Sequence, residues 1–504
     1  MFATSIYTAP PPFGCDVNCP APTGNRPDAV NNIFSLPTTS DVRGHSLTFT
    51  ANINDYLTFK NITAYRTLHF QTPGFTLDAG GNYSDGSATT GYAVPFRFWN
   101  SSEGNDEQFS NETQLILDTD PLTLTTGILY YQMDQTTGGY ANASSTIANS
   151  GGLISGSNGY YFINVVLPND NHADAISSAA YAQAEWHFSD QWDLILGTRY
   201  TQDRKEFAYF DNALGYMHST YEGNRPTYMI GLNYSPTDDI MVYAKYSTGY
   251  VSGGTTGYRS LTSTPAQFDY DPELSYSQEV GVKADWFDHA LRTNLSIFQT
   301  DYSGFHIALG GTTLASNGFP QFANAQVVVL NGGDAHSWGG ELETTWMTTD
   351  HLTLSAGIAY LDFDLTNVNP IYLTVGANVN PLQSQWSGNF AAEYESDPLF
   401  GDVRLQARLD ASYRSEYYAS NSTFGGLAAD AVTVDPSWMA NARAALTGFR
   451  IAGSDAEIAL WGRNIFDSDH VTYSTRTSFT ATQAMYSGGF DRAPTYGVDL
   501  TFDF

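Results

Sequence analysis

The chain is poor in cysteine, in basic residues and in long apolar runs. Among 504 residues there are 2 Cys. Cys15 and Cys19 stand in a Pro-rich stretch with no other Cys and no nearby His, a poor set for a metal. In an oxidising compartment the pair is expected to close a small loop disulfide; the alternative is two free thiols. Lys and Arg number 21 against 52 Asp and Glu, a net charge of −31. That balance excludes nucleic acid as a partner, because phosphates need basic side chains. Charged residues reach only 14%, well under the roughly one quarter usual in soluble domains. No window of 18 apolar residues occurs, so no helix spans a membrane; half-apolar strands are untouched by this test. Met1 to Tyr7 lacks the basic and apolar regions of a secretory signal. The ten His are dispersed, and H-E-x-x-H, G-x-S-x-G and P-loop patterns are missing. Neither an enzyme nor a bound cofactor or metal is expected.

What is abundant is aromatic residues and glycine: 33 Tyr, 30 Phe and 45 Gly. The last nine residues show how they are used. Tyr496, Val498, Leu500, Phe502 and Phe504 alternate with Gly497, Asp499, Thr501 and Asp503, giving a strand with one apolar and one polar face. The same alternation recurs from Ser46 onward in hairpins with tight turns, such as Trp192–Phe210 after Ser189-Asp190-Gln191 and Val403–Tyr418 before a longer loop. In the latter, Val403, Leu405, Ala407 and Leu409 face one way and Arg404, Gln406, Arg408 and Asp410 the other. Tight turns take turns with long Gly/Asn/Ser/Thr segments at 71–106, 138–179, 251–273, 308–337, 366–384, 419–437 and 467–494. Short turns on one side and long loops on the other are the pattern of an antiparallel transmembrane β-barrel, with periplasmic turns and extracellular loops. The predicted fold class is therefore all-β, with residues 1–45 as an extracellular loop and 46–504 as the barrel.

About seventeen strands are predicted, whereas single-chain bacterial barrels usually have an even number. With the last strand running inward, the first also runs inward, so residues 1–45 would begin outside the cell. The expectation is that an N-terminal part is missing. Residues 46–54 and 496–504 are then expected to be free sheet edges.

Several stretches resemble TonB-dependent outer-membrane receptors. They are Val242–Tyr250 with Gly253-Gly254, Asp271-Pro272-Glu273-Leu274 running into Tyr276–Lys283, Asn331–Ala335 leading into Gly340-Glu341-Leu342-Glu343, and Asn464-Ile465-Phe466-Asp467 before the final strand. Together they cover roughly residues 46–504. The resemblance implies a 22-stranded barrel, of which this chain would start near the sixth strand, without the N-terminal plug. It implies uptake of a scarce nutrient, a ferric siderophore first among them, energised by an inner-membrane complex through the missing N-terminal segment. Tyr496, Val498, Leu500, Phe502 and Phe504 are similar to the signal that the barrel assembly machinery reads. Outer-membrane lipid and lipopolysaccharide are the implied surroundings. The competing expectation is a passive porin of 16–18 strands.

Inward charges on the predicted strands, Arg404, Arg408, Asp410, Arg414, Glu279 and Lys283, guide a ligand or contact the plug or, more simply, form a lattice of lumen ion pairs. Ligand candidates sit on loops held by a rigid scaffold. They are Arg97 and Trp99, in a cluster with Tyr92, Phe96 and Phe98, then Tyr258, Arg259, His336 and Trp338. Aromatic rings and cations suit flat anionic complexes. A collar that only packs loops together is the alternative.

Overall fold

The computed structural model describes residues 4–7, 26, 38–83, 94–145, 169–211, 215–259, 265–310, 327–370, 383–418, 433–451, 453–480 and 483–503. Cys15, Cys19 and Tyr92 lie outside them, as does Phe504. The strands in chain order are β1 (Thr4–Tyr7), β2 (Thr39–Asn52), β3 (Leu57–Tyr83), β4 (Val94–Thr119), β5 (Leu122–Ser145), β6 (Asn169–Ser189), β7 (Trp192–Asp211) and β8 (Gly215–Thr237). They continue as β9 (Ile240–Val251), β10 (Gly254–Arg259), β11 (Pro265–Tyr270), β12 (Glu273–Trp286), β13 (Leu291–Gly310), β14 (Val327–Thr349), β15 (Leu352–Thr366) and β16 (Trp386–Glu395). The last are β17 (Arg404–Arg414), β18 (Tyr417–Tyr418), β19 (Thr433–Val434), β20 (Ser437–Ile451), β21 (Ser454–Arg463), β22 (Val471–Thr480), β23 (Gln483–Phe490) and β24 (Thr495–Asp503). Seventeen of these make one antiparallel barrel wall: β2–β9, β12–β17, β20, β21 and β24. Each pairs with the wall strand next to it in the chain, so the connections are simple meanders. No register between β2 and β24 occurs among the described residues.

The number of wall strands and the tight turns agree with the sequence reading, but several strands are taller than it suggested. The segment 71–106 is largely strand, since β3 continues to Tyr83 and β4 starts at Val94. Likewise β5 reaches Ser145 and β14 begins at Val327. Beyond the membrane neither face of a strand needs apolar residues, so the period-two signal fades while the hydrogen-bonded ladder goes on. The segments 251–273 and 467–494 also hold hairpins, β10–β11 and β22–β23. β1 adds to β23 at Thr4↔Gly489 through Tyr7↔Tyr486.

The registers sort side chains into two faces. Leu405, Ala407 and Leu409 share a face, opposite Leu446, Ala444 and Ala442, while Arg408 shares the other with Glu393 and Arg443. Val403 departs from the expected set. It is buried at 5% exposure and closes the tight turn through a bridge with Phe400, ahead of the regular strand. On the apolar face two aromatic rows mark the membrane borders. One is at the short-turn end, where Trp186, Phe188, Trp192 and Tyr234 follow with centroids 5.5, 6.3 and 4.3 Å apart. The other holds Trp338, Tyr360 and Trp386, spaced 5.1 and 4.8 Å. On β7 the rows are marked by Trp192 and Tyr200, eight positions apart. At about 3.3 Å per residue and a tilt near 40°, this gives a band roughly 20 Å tall, close to the thickness a barrel needs.

Inside that band the same face carries Asn61, Thr63, Asn111 and Thr113. They satisfy one another: Asn61 donates to Thr113 at 2.9 Å and Asn111 donates to Thr63 at 2.7 Å. The amides thus meet lipid as a closed set rather than as unpaired donors. At the other end of the wall, a bulge between Leu446 and Phe449 places Gly448 at φ 79°. A Cβ there would run into the Asp402 carbonyl.

Leu196 lies midway between the two aromatic rows, on the apolar face. Leu196→Arg is expected to destabilise the folded protein in lipid vesicles by about 2–4 kcal/mol, measured by urea unfolding. Gln183→Arg, on the opposite face of the neighbouring strand, should change stability by less than about 1 kcal/mol. Equal effects would mean that the faces are assigned wrongly.

Candidate functional site

The polar face forms a lattice of fixed charges. On β9 and β12, which pair as Lys245↔Glu279, the Lys245 ammonium lies 3.0 Å from the Glu279 carboxylate, which also accepts from Tyr243 at 2.6 Å. Lys283 stands over the Tyr243 ring at 5.9 Å. Tyr181 donates to Glu112 at 2.5 Å, with Arg199 above its ring. Arg408 pairs with Glu393 and, at 3.5 Å, with Asp410, which accepts from Asn441 at 2.7 Å. Arg404 reaches Glu395 at 3.4 Å, and Arg443 pairs with Glu457. The inward charges singled out in the sequence are therefore largely engaged with other wall residues.

A recess interrupts this lattice. A cavity of about 510 Å³ is lined by Glu341, Glu343, Asn389, Arg414, Tyr417 and His470, among others. Its floor is small because Gly357, Ser387 and Ser412 fall on the inward positions of β15, β16 and β17. Its roof comes from the loop strands, with Arg414 packed over Tyr417 at 5.0 Å and Tyr417 donating to the Thr472 carbonyl at 2.7 Å. Three carboxylates, Glu341, Glu343 and Asp491, with a guanidinium and an imidazole give it mixed polar recognition rather than one charge sign.

The six ligand candidates are not brought together. Arg97 and Trp99 lie in β4, paired with Asp78 and Thr76 on one side and Ser144 and Asn142 on the other. Tyr258 and Arg259 belong to β10, opposite Ala266 and Pro265. That hairpin is tied to inward-facing residues: Thr255 donates to Ser219 at 2.5 Å, and Lys205 donates to the Gly253 carbonyl at 3.1 Å. His336 and Trp338 lie elsewhere, on the face of Leu342, because β14 is already regular at these positions. His336 sits 2.7 Å from Asp301, and Trp338 donates to Asp362 at 3.2 Å within the aromatic row.

Three clusters had no signal in linear spacing. Arg26 reaches across the molecule to Asp467 at 2.5 Å and to the Asp491 carbonyl at 3.0 Å. Asn464, 2% exposed and at φ 50°, donates to the carbonyls of Ser468 and Arg492 at 2.9 and 2.7 Å, which fixes the turn that Arg26 grips. Two further groups could hold a metal ion, Asp134–His172–Asp174 and Glu185–His187–Asp193. Each joins residues from facing strands, and alternation, H-x-D or E-x-H, puts the chain neighbours on one face.

His187 lies just below Trp186, at the short-turn rim. The Asp193 carboxylate, 2.7 Å away, holds its pKa above the ordinary value against a small desolvation penalty, with Glu185 and Asp118 adding to the effect. Because the folded value is raised, the stabilisation is complete below the unfolded value near 6.5 and fades as pH rises through the folded value. An NMR titration of the His187 ring should place its midpoint above that of an unperturbed histidine. Asp193→Asn should bring the midpoint down, and an unchanged midpoint would refute the pairing.

The TonB dependent receptor-like β-barrel family model matches residues 6–465. The probable TonB-dependent siderophore receptor PiuA of Acinetobacter baumannii is 28% identical over 204 residues, covering 39% of this chain and 25% of the relative. The pesticin receptor of Yersinia pestis is 22% identical over 348 residues, 67% of this chain and 45% of the receptor. The chain thus spans less than half the length of these relatives. Among solved structures, the ferric yersiniabactin uptake receptor FyuA from Yersinia pestis superposes with a TM-score of 0.65 at 16% identity, covering 93% of this chain and 61% of that one. PiuA superposes with a TM-score of 0.62 at 18% identity, covering 92% and 65%. The apolar belt, the parity of the loops and the family match agree: this chain belongs to the TonB-dependent receptor β-barrel family and is an integral outer-membrane protein.

Proposed function

We propose that the chain is the barrel of a receptor that takes up a ferric siderophore across the outer membrane. The observation that carries this reading is the family match over residues 6–465, together with relatives named as siderophore receptors. A passive porin of 16–18 strands is disfavoured by the same match. Uptake would be energised by the inner-membrane TonB complex, reached through an N-terminal segment of the receptor. The closing strand, Tyr496, Val498, Leu500, Phe502 and Phe504, would be read by the barrel assembly machinery, and lipopolysaccharide would surround the outer half of the apolar belt.

Residues 1–45 are assigned to the extracellular side. The pairing of β1 with β23 and the grip of Arg26 on the Asp467 turn support this. Ligand contact is assigned to Arg97, Trp99, Tyr258 and Arg259 on the long-loop side, where guanidinium and ring groups can meet a flat anionic complex. His336 and Trp338 share the membrane-side face, so the proposal gives them a part in seating the barrel rather than in ligand contact.

The test is uptake of radiolabelled ferric siderophores by cells carrying the full-length protein. Uptake is expected to require both the protein and the TonB complex. Arg97→Ala and Arg259→Ala should each weaken binding about tenfold, roughly 1.4 kcal/mol, whereas Trp338→Ala should not. Uptake that continues without the energising complex would support the porin instead.

A further inference from the structure

The membrane-side face of β5, β6 and β7 carries a groove that the uptake reading does not use. Along β6 the outward Ser178 and Ala180 make a low floor between bulkier neighbours. The registers set Ala180 between Ile128 on β5 and Tyr200 on β7, and Ser178 beside Tyr130. The resulting groove holds about 440 Å³, with Ile128 62% and Tyr200 44% exposed. It lies at the level of the Tyr130 and Tyr200 rings and is closed on its outer side by Gln202.

Directly beyond it, on the same face, stand Asp134, His172 and Asp174. Asp134 and Asp174 are opposite one another in register. The His172 ring lies 3.0 Å from Asp174 and 3.8 Å from Asp134, and one ligand atom from each of the three falls within 4.8 Å of the others. Asp134 is four positions past Tyr130, about 10 Å above the aromatic row at the usual rise and tilt. That is the level of lipid headgroups. Two carboxylates facing each other across a strand pair repel, and together they would also repel a lipid phosphate. A divalent cation removes both penalties at once, and an imidazole with two carboxylates is a donor set that such cations accept.

We propose that Asp134, His172 and Asp174 hold a divalent cation that anchors the phosphorylated headgroup of an outer-leaflet lipid, with the upper part of one acyl chain of that lipid lying in the groove over Ser178 and Ala180. The inference rests on the outer-membrane placement and gives the surrounding lipid a seat. The phosphate complements the bound cation, and the groove lies on the membrane-centre side of the cation site, as a single lipid molecule requires.

The experiment uses the full-length protein extracted in detergent, with folding checked by heat-modifiable gel mobility. Manganese alone is added first and followed by electron paramagnetic resonance. A bound ion is expected that is lost in Asp134→Asn/Asp174→Asn but kept in Asp193→Asn. The protein is then exposed to lipid A and gel-filtered, and the retained lipid is measured by mass spectrometry. Retention should fall at least tenfold with a chelator, in the double variant, and in Ala180→Trp. If Ala180→Trp fails to fold, the smaller Ala180→Leu should still reduce retention. Millimolar inorganic phosphate should not displace the lipid.

Retention indifferent to both chelator and double variant would overturn the proposal. So would displacement by free phosphate, which would leave an anion site without a chain seat. A change of oligomeric state in Ala180→Trp with lipid retention intact would make the groove a contact between two copies and overturn it as well. Siderophore uptake by these variants is expected to match the parent, so failure of the lipid site and failure of the receptor reading give separate results.

Discussion

A lipid interior offers no hydrogen-bond partner to a peptide group, and the architecture follows from that constraint. Each wall strand gives its backbone donors and acceptors to its neighbours, the outer edges of β2 and β24 excepted among the described residues. Side chains are then forced to alternate between lipid and lumen, and composition follows: leucine, valine and aromatic rings on one face, and ion pairs on the other. The polar residues that do face lipid conform to the same rule at a smaller scale. Asn61, Asn111, Thr63 and Thr113 exchange hydrogen bonds among themselves, which removes most of the cost of four polar side chains in that position.

The lumen shows the complementary economy. Charges there are matched across strands, as in Lys245–Glu279 and Arg443–Glu457, so the wall presents a fixed pattern of dipoles instead of free ions. Recognition by such a wall comes from where the lattice is interrupted. The recess between Glu341, Arg414 and His470 is such a place, built where glycine and serine occupy the inward positions of three successive strands.

Much of this fold is written in alternation and is legible in the sequence. The closing strand from Tyr496, the parity of the loops and the opposed faces of Leu405 and Arg408 all follow from a period of two. What was illegible has two physical causes. Above the membrane both faces are wet, so the upper parts of β3, β4 and β14 lose their apolar stripe and read as loop. This is why His336 and Trp338 read as loop residues in the sequence although they continue the face of Leu342. The second cause is that proximity across a sheet depends on register, which spacing along one chain does not encode. His172 and Asp174 share a face by simple alternation, but that Asp134 is opposite them depends on the length of the segment between β5 and β6. For the same reason the lumen recess, assembled from β14, β15, β16, β17 and the loop strands, left no local motif.

Arg26 meets Asp467 across 441 positions of sequence. A contact with so long a loop to close forms late, after the intervening hairpins have limited where its ends can be. Its acceptors, Asp467 and the carbonyls of Ser468 and Asp491, are gathered only when the Asn464 turn has folded and β24 has taken its place beside β21. The guanidinium is therefore positioned to register completion. It binds firmly to a finished last hairpin and finds scattered, solvated groups on an unfinished one.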